Sequence, residues 1–398
     1  MIRVVHLGKF YPPARGGMEQ VIQALCENER RTVDVRALVA NSGRATVHET
    51  LGGVPVTRVG AAARIGSVTV CPTLPLWLRR VRCDVLVVHE PNPVALVAFA
   101  LARPRARLVV WFHSEVVRPA WRYRLFYRPF LRHVLTRADR IVVASPKLAE
   151  HAAELRDFRS KVTVIPFGID ADAFALTPAV MSRASAIRQR RAAPLLLFVG
   201  RMVPYKGVDV LLRAMVGLDA HAMLVGTGPM KRAWEELAAS LGVRDRVSFD
   251  GEVDRPELVA RYHACDVFVL PSVTRAEAFG MVQLEAMACG KPVVSTDLPT
   301  GVPWVNQDGI SGRVVPPGDP NALRRALRDL LQDPAARRRM GLAARRRIDE
   351  TFVLANMVGK TTSLYTELMA SASGSTPVGL RRAEPSAGVA SAASSFES

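Results

Sequence analysis

Lysine is scarce in this 398-residue chain: seven of its 54 basic residues are lysine and the rest arginine. Such a bias is what a GC-rich coding sequence produces, so the formal charge of +18 is discounted before it is read. It still attracts polyanions such as nucleotide phosphates or an anionic membrane face. No helix-turn-helix, zinc finger or RNA-binding aromatic motif accompanies the charge, so nucleic acid is not the expected partner. Cysteine is also sparse, five in all (26, 71, 83, 265, 289), an odd number with no C-x-x-C pair. Neither a disulfide framework nor a zinc site is suggested by that pattern, and buried free thiols are expected. No run of 18 uninterrupted apolar residues exists, which argues against a membrane-spanning helix. The start, MIRVVHLGKFYPP, enters a strand directly and lacks the apolar core of a signal peptide, so a cytoplasmic protein is expected. A G-x-G-x-x-G dinucleotide fingerprint is missing as well.

What is present is an alternation of short apolar runs and amphipathic stretches. Hydrophobic residues make up 49% of the chain, enough for two cores at this length. Segments 2–8, 33–40, 84–89, 107–113, 140–145 and 162–168 read as strands of a first parallel sheet. After a less regular, arginine-rich stretch over 171–191 the pattern restarts at 194–201, 221–226, 246–251, 266–270, 292–296 and 312–315. Helical stretches at 319–331, 334–349 and 354–370 follow, and the chain then turns Ala/Ser/Gly/Pro-rich. This predicts an α/β protein of two doubly wound, Rossmann-like domains facing each other across a cleft.

Candidate chemistry gathers where strands end. Glu277 lies in the loop after the 266–270 strand, and Glu285 lies eight residues on, in a helix. Phe279-Gly280 breaks the strand pattern, so the helix starts at Met281 with unpaired N–H groups suited to a phosphate. Gly16-Gly17 stands between the first strand and an apolar-periodic helix, where backbone can approach a diphosphate closely. Arg201 and Lys206, in VGRMVPYKG, supply a planar fork and a point charge after another strand. His113 closes the 107–113 strand, followed by Glu115, whose role no motif fixes. Each taken singly is equally a structural residue; their common position at strand ends is what singles them out.

The segment P-S-x4-E-A-F-G-x4-E-A-M-A-x-G-K-P-V-V, from Pro271 to Val294, resembles the donor-site signature of retaining family-4 glycosyltransferases of the GT-B fold. G-R-x4-K-G at 200–207 and Gly16-Gly17 match the same family. The resemblance implies that Glu277 and His113 lie beside the donor sugar and that Glu285 bonds the ribose hydroxyls. It implies that Arg201, Lys206 and the Gly16-Gly17 turn hold the diphosphate. Val253 in the Gly251–Val253 segment, with Gly226–Pro229, would line the base pocket, and Phe279, Gly280 and Met281 would complete the donor site. Backbone contacts of this kind do not distinguish uracil from guanine. Asp170-Ala171-Asp172 matches the D-x-D metal motif of other glycosyltransferases, but it falls at the domain junction, where the family uses no metal; no cofactor and no divalent ion are expected. One departure stands out: where many relatives carry G-G-x-P-E, this chain reads LPTGVPWVN, with Trp304 at the glutamate's place. That variant is similar to bacterial exopolysaccharide and O-antigen enzymes, some of them mannosyltransferases.

The resemblance divides the chain into an acceptor-side N-terminal domain (1–172), a linker (173–193) and a nucleotide-sugar-binding domain (194–350). A helix crossing back to the first domain (351–370) and a disordered tail (371–398) complete it. The expected function is retaining transfer of a hexose from GDP-mannose or a UDP-hexose to a saccharide or lipid-linked saccharide. Two rivals stay in view: a nucleotide-sugar epimerase of the same architecture and a non-catalytic partner in a polysaccharide assembly complex. Arg118–Arg137, which interleaves arginines with Trp121, Tyr123, Phe126, Tyr127 and Phe130, is either a peripheral contact with an anionic membrane or an ordinary surface helix.

Overall fold

The computed structural model describes residues 1–14, 16–66, 68–116, 123–190 and 193–372. Residues 373–398 of the expected tail and 118–122 of the basic aromatic segment lie outside them. The first half carries β1 (Arg3–Leu7), β2 (Asp34–Ala40), β3 (Val47–Leu51), β4 (Val54–Val59), β5 (Ala63–Ile65), β6 (Val68–Val70), β7 (Val85–Glu90), β8 (Arg107–Phe112), β9 (Arg140–Val143) and β10 (Val162–Val164). The second half carries β11 (Leu195–Val199), β12 (His221–Val225), β13 (Val247–Gly251), β14 (Val267–Leu270), β15 (Val293–Thr296) and β16 (Gly312–Val315). The sheet orders are β10-β9-β8-β7-β1-β2-β4-β3 and β13-β12-β11-β14-β15-β16, with β5 and β6 forming a separate ribbon. Strands β7 and β11, in the middle of their sheets, are buried along their whole length. The apolar runs Val85–Val88 and Leu195–Val199 within them are what a parallel strand covered by helices on both faces requires. Each Val or Leu so buried contributes roughly 1.5–3 kcal/mol.

Two local features differ from the sequence reading. The first sheet is not wholly parallel: β3 pairs antiparallel with β4 at its edge. Gly52 and Gly53, with φ of 57° and 78°, make the two-residue turn between them. The stretch read as irregular before the second half contains a helix, Pro178–Gln189. Thr177 caps it by accepting from the Val180 N–H, and Pro178 occupies the first turn. It packs on the Arg255–Ala264 helix, tied by Arg183–Glu257 at 2.6 Å, and Arg188 pairs with Asp266 at 3.0 Å.

The last helix, Leu354–Ala372, lies against the Gly17–Glu29 helix of the first half, where the Tyr365 hydroxyl reaches Glu29 Oε1 at 3.3 Å. Its approach is close: a Cβ on Gly168 would sit 2.6 Å from the Val353 carbonyl oxygen. Among the described residues no helix is long and apolar enough to cross a membrane.

Strand order decides where a ligand finds room. In each sheet the chain winds one way from a central strand and later returns to that strand's other side. The reversal lies between β1 and β7 in the first sheet and between β11 and β14 in the second. Loops leaving neighbouring strands diverge there and open a crevice at the carboxyl edge.

Candidate functional site

The loop after β11 and the loop after β14 leave opposite sides of the second reversal, and Lys206 meets Glu277 between them. The Lys206 Nζ lies 2.5 Å from Glu277 Oε2, and the Ser272 hydroxyl donates to the same oxygen at 2.9 Å. The loops are drawn together by backbone, Val273 N–H donating to the Tyr205 carbonyl at 2.8 Å. Gly207, at φ 65°, is required in that approach, because a Cβ would fall 2.0 Å from the Pro271 carbonyl oxygen. Lys206 and Glu277 are 8% and 7% exposed. Burial alone would pull the Lys206 ammonium's pKa down, but the Glu277 carboxylate, with Tyr205, outweighs it and holds the group above its ordinary value.

Arg201, the other basic residue expected here, is exposed rather than buried. It stands in the field of Glu19, on the first turn of the Gly17–Glu29 helix across the cleft. Burial raises the Glu19 pKa, against the opposing pull of Lys9 and Arg201. That helix starts at Gly17, has no side-chain cap, and leaves open space where a Gly17 Cβ would stand. The Met281–Ala288 helix likewise starts after an αL Gly280 (φ 74°) with no side-chain cap. Both starts leave first-turn N–H groups without a helical partner, which suits phosphate oxygens, and at the first of them the Glu19 carboxylate bonds its own backbone N–H and stands against Gly16.

Glu285 is half-buried on the Met281–Ala288 helix and accepts from the Tyr262 hydroxyl at 2.7 Å. Burial raises its pKa, and the Tyr262 bond and Arg255 oppose that shift. The loops after β11, β12 and β13 are stitched edge to edge: Gly226 N–H donates to the Gly251 carbonyl at 2.7 Å and Met202 N–H to the Thr227 carbonyl at 2.7 Å. Half-buried Val253 follows on the same rim.

His113 follows β8 and is 6% exposed. Burial pushes its pKa down to about 3, so the ring is neutral. It stacks on Phe167 with centroids 5.3 Å apart, and Phe167 meets Phe279 edge-on at 4.9 Å. That aromatic bridge carries the first half's histidine to the segment holding Glu277. Trp304 continues the cluster behind Phe279, contacting Phe352 at 5.3 Å and lying under the Arg347 guanidinium. The departure from the family pattern at this position thus fills the junction between the halves with aromatic packing.

Several participants carry no sequence signal of their own. Phe167 and Tyr262 are ordinary core residues until the fold places them, whereas Ser272 belongs to the Pro271-Ser272 turn of the motif. Glu115 accepts from Arg275 at 3.0 Å across the cleft and from the Ala153 N–H at 3.2 Å. Burial, then Glu154, raises the Glu115 pKa. Asp170 accepts from the Asp172 N–H at 3.2 Å, closing a local turn. Among the described residues no three His, Cys, Asp or Glu side chains are grouped to hold a metal ion.

Comparison with known proteins places this geometry. Residues 184–347 match the family model for group 1 glycosyl transferases, and residues 15–173 match that for glycosyltransferase family 4. The D-rhamnosyltransferase WbpZ of Pseudomonas aeruginosa is 35% identical over 88% of this chain and 92% of its own. The O-antigen chain mannosyltransferase C of Escherichia coli is 30% identical over 94% of this chain and 100% of its own. Among solved structures, HepE of Anabaena in complex with UDP superposes with a TM-score of 0.74 at 20% identity, over 92% of this chain and 100% of that one.

Proposed function

The chain belongs to the family-4 glycosyltransferases and has their GT-B fold, and from that premise we propose that it transfers a hexose with retention of configuration. The donor in this reading is a nucleotide-diphosphate sugar, GDP-mannose or a UDP-hexose. The acceptor is a saccharide or lipid-linked saccharide of a surface polysaccharide. Residues 194–350 bind the donor, residues 1–172 face the acceptor, and 173–193 join them. One observation carries the proposal: a buried Lys206–Glu277 pair at the reversal between β11 and β14, joined through Phe279 and Phe167 to His113 on the opposite sheet.

Glu277 and His113 hold the sugar and Glu285 the ribose. Arg201, Lys206 and the N–H groups at Gly16, Gly17, Gly280 and Met281 take the diphosphate, and the Val253 and Phe279 segments line the donor. The acceptor hydroxyl attacks from the leaving-group side, and a donor phosphate oxygen takes its proton. Negative charge building on the diphosphate is met by fixed cations and helix N-termini, so no divalent ion is needed for the step. A double displacement would need two carboxylates about 5 Å apart astride the sugar, and only Glu277 stands at the place expected for the sugar.

Assaying the purified chain against a panel of nucleotide sugars, with and without membrane extract, tests this. Nucleotide release that needs an acceptor and survives EDTA is the expected result. Donor inversion without acceptor would make the chain an epimerase, and loss of activity in EDTA restored by manganese would return Asp170 and Asp172 to the chemistry.

The chain works on the cytoplasmic face of the membrane in this reading, for a reason the surface supplies. Leu125 and Phe126 are 65% and 68% exposed, between exposed Arg124 and Arg128, while Tyr127 turns inward to Glu90. Apolar side chains flanked by arginines suit an anionic bilayer surface, at about 1 kcal/mol per arginine at low salt. Changing Arg124, Arg128 and Arg132 to glutamate should release the protein from anionic vesicles in sedimentation and leave nucleotide binding intact. Unchanged, salt-independent partitioning would make this an ordinary surface helix.

A further inference from the structure

His113 and Glu277, the two groups placed beside the sugar, are each held firmly within their own half. His113 Nε2 lies 2.8 Å from His89 Nδ1, and His89 Nε2 lies 2.9 Å from His6 Nδ1, on adjacent strands of the first sheet. Glu277 is held by Lys206 and Ser272, and by a tight turn in which its N–H donates to the Thr274 carbonyl at 3.1 Å. What neither half fixes alone is the distance from one group to the other.

An ion pair stands beside both of them. Glu115 lies two residues past His113, Arg275 lies two residues before Glu277, and Arg275 Nη1 donates to Glu115 Oε2 at 3.0 Å. The carboxyl is anchored on its own side, where Glu115 Oε1 accepts from the Ala153 N–H at 3.2 Å and the next residue, Glu154, accepts from the Tyr123 hydroxyl. The Glu115 side chain is 9% exposed and that of Arg275 49%. A buried carboxyl of the first half therefore takes its counter-charge from the second, and Arg275 opposes the upward push of burial and of Glu154 on the Glu115 pKa. The contact does not depend on which state Glu115 is in, because a neutral carboxyl still offers an oxygen acceptor to a guanidinium.

Two other contacts span the halves and do less to set their spacing. Phe167 meets Phe279 edge-on, but ring contacts tolerate sliding, whereas a charge-assisted hydrogen bond has a set length and direction. Lys147 reaches Asp297 at 3.4 Å, with the two side chains 39% and 65% exposed, and a pair so solvated holds little.

We propose that Arg275 and Glu115 are positioning residues: their contact latches the Glu277 loop to the chain leaving β8 and so sets the spacing of Glu277 and His113 across the sugar. The proposal rests on the donor-sugar role given to those two residues above. Breaking the latch leaves both sugar groups in place on their own halves but lets the halves shift. A misplacement of about 1 Å at a reacting centre can cost about 10²-fold in rate. Free nucleotide, bound mainly by residues 194–350, should be affected far less.

The clean variant is Arg275→Ala, which leaves the bond from Ala153 to Glu115 intact and replaces a half-exposed side chain. At saturating donor and acceptor its turnover should fall by at least about tenfold, with calorimetric affinity for UDP and GDP changing much less. Glu115→Gln, whose amide oxygen can still accept from Arg275, should keep most of the turnover. Asp297→Ala, at the exposed pair, should transfer at a near-normal rate. Spacing is read without substrate by electron–electron spin distances between nitroxides on Ser42→Cys and Ala239→Cys, one on each half. Half-buried Cys83 is changed to serine in that background, the other four cysteines being buried. The distance distribution should broaden in Arg275→Ala and stay narrow in Glu115→Gln. An Arg275→Ala protein with an unchanged distribution, or with near-normal turnover, would overturn the proposal. Equal losses of nucleotide affinity and turnover would make Arg275 a donor ligand and overturn it too. So would a Glu115→Gln protein that loses as much turnover with its distances still narrow, because Glu115 would then belong to the reaction itself. A chain that transfers no sugar refutes the proposed function, while the spin distances still decide the latch, so the two readings fail separately.

Discussion

Replacing Lys206 by methionine should cost this protein about 3–5 kcal/mol of stability, more than most substitutions at a surface site. The reason is what the change leaves behind. Glu277 would remain 7% exposed with Ser272 as its one remaining hydrogen-bond donor among the described residues. A buried carboxylate stripped of its counter-charge keeps its desolvation cost and loses the attraction that offset it. Removing both charges together, as Lys206→Met with Glu277→Leu, should recover much of the loss, because neither charge is then buried alone. Donor turnover should be absent from the single variant and from the double. Denaturant unfolding of the four members of this cycle checks the claim. Additive effects would mean that the 2.5 Å contact does not couple the two residues.

The same pair has a defined pH behaviour. Burial lowers the Lys206 pKa, but Glu277 and Tyr205 raise it further, so the folded value lies above the unfolded one. Its contribution is therefore complete at every pH below the ordinary lysine range and is lost only as alkali titrates the folded group. The unsubstituted chain should accordingly keep this contribution across neutral pH in denaturant unfolding and lose it only in alkali.

The architecture was legible because its strands are short, branched-apolar and regularly spaced. Leu195–Val199 and Val85–Val88 announce themselves, since strands buried on both faces read as unbroken apolar runs. The β3–β4 hairpin did not, because an edge pair with exposed residues has no such run; its one signal is Gly52-Gly53 between two β-rich segments. The Pro178–Gln189 helix was hidden by arginines that face its neighbours' carboxylates, although Thr177-Pro178 is a helix start.

For the site, sequence motifs locate Glu277, Glu285, Arg201 and Lys206 on loops and helices at the carboxyl edge. They do not say that Lys206 touches Glu277, 71 positions away, because that contact exists only through the β11–β14 adjacency. Likewise His6, His89 and His113 are isolated histidines along the chain. Parallel pairing of β1 with β7 and of β7 with β8 is what lines them up.

Glu277→Gln should lower turnover by about 10²–10³, the usual loss when one preorganised electrostatic group is removed from a closed site. The amide keeps the shape and can still accept from Ser272, so the loop from Pro271 to Gly280 stays in place. What disappears is the negative charge next to a sugar that becomes positive as its bond to the diphosphate stretches. Lys206 also loses its partner, and burial, no longer opposed by that carboxylate, then favours the neutral amine and weakens the grip on the leaving group. The lost charge beside the sugar acts in the transition state alone, whereas a neutral Lys206 also holds the free nucleotide less tightly, so turnover should fall by much more than nucleotide affinity does. Glu285→Ala should do the opposite. The buried Tyr262 hydroxyl that now donates to Glu285 at 2.7 Å would keep only the Val282 carbonyl at 3.3 Å as acceptor, the ribose contact would be gone, and donor affinity would fall before turnover at saturation does. Calorimetric titration with UDP and with GDP, beside single-turnover transfer by both variants, separates the two. A Glu277→Gln enzyme that transfers at near-normal rate would remove Glu277 from the sugar subsite and leave its contact with Lys206 as a device of stability alone.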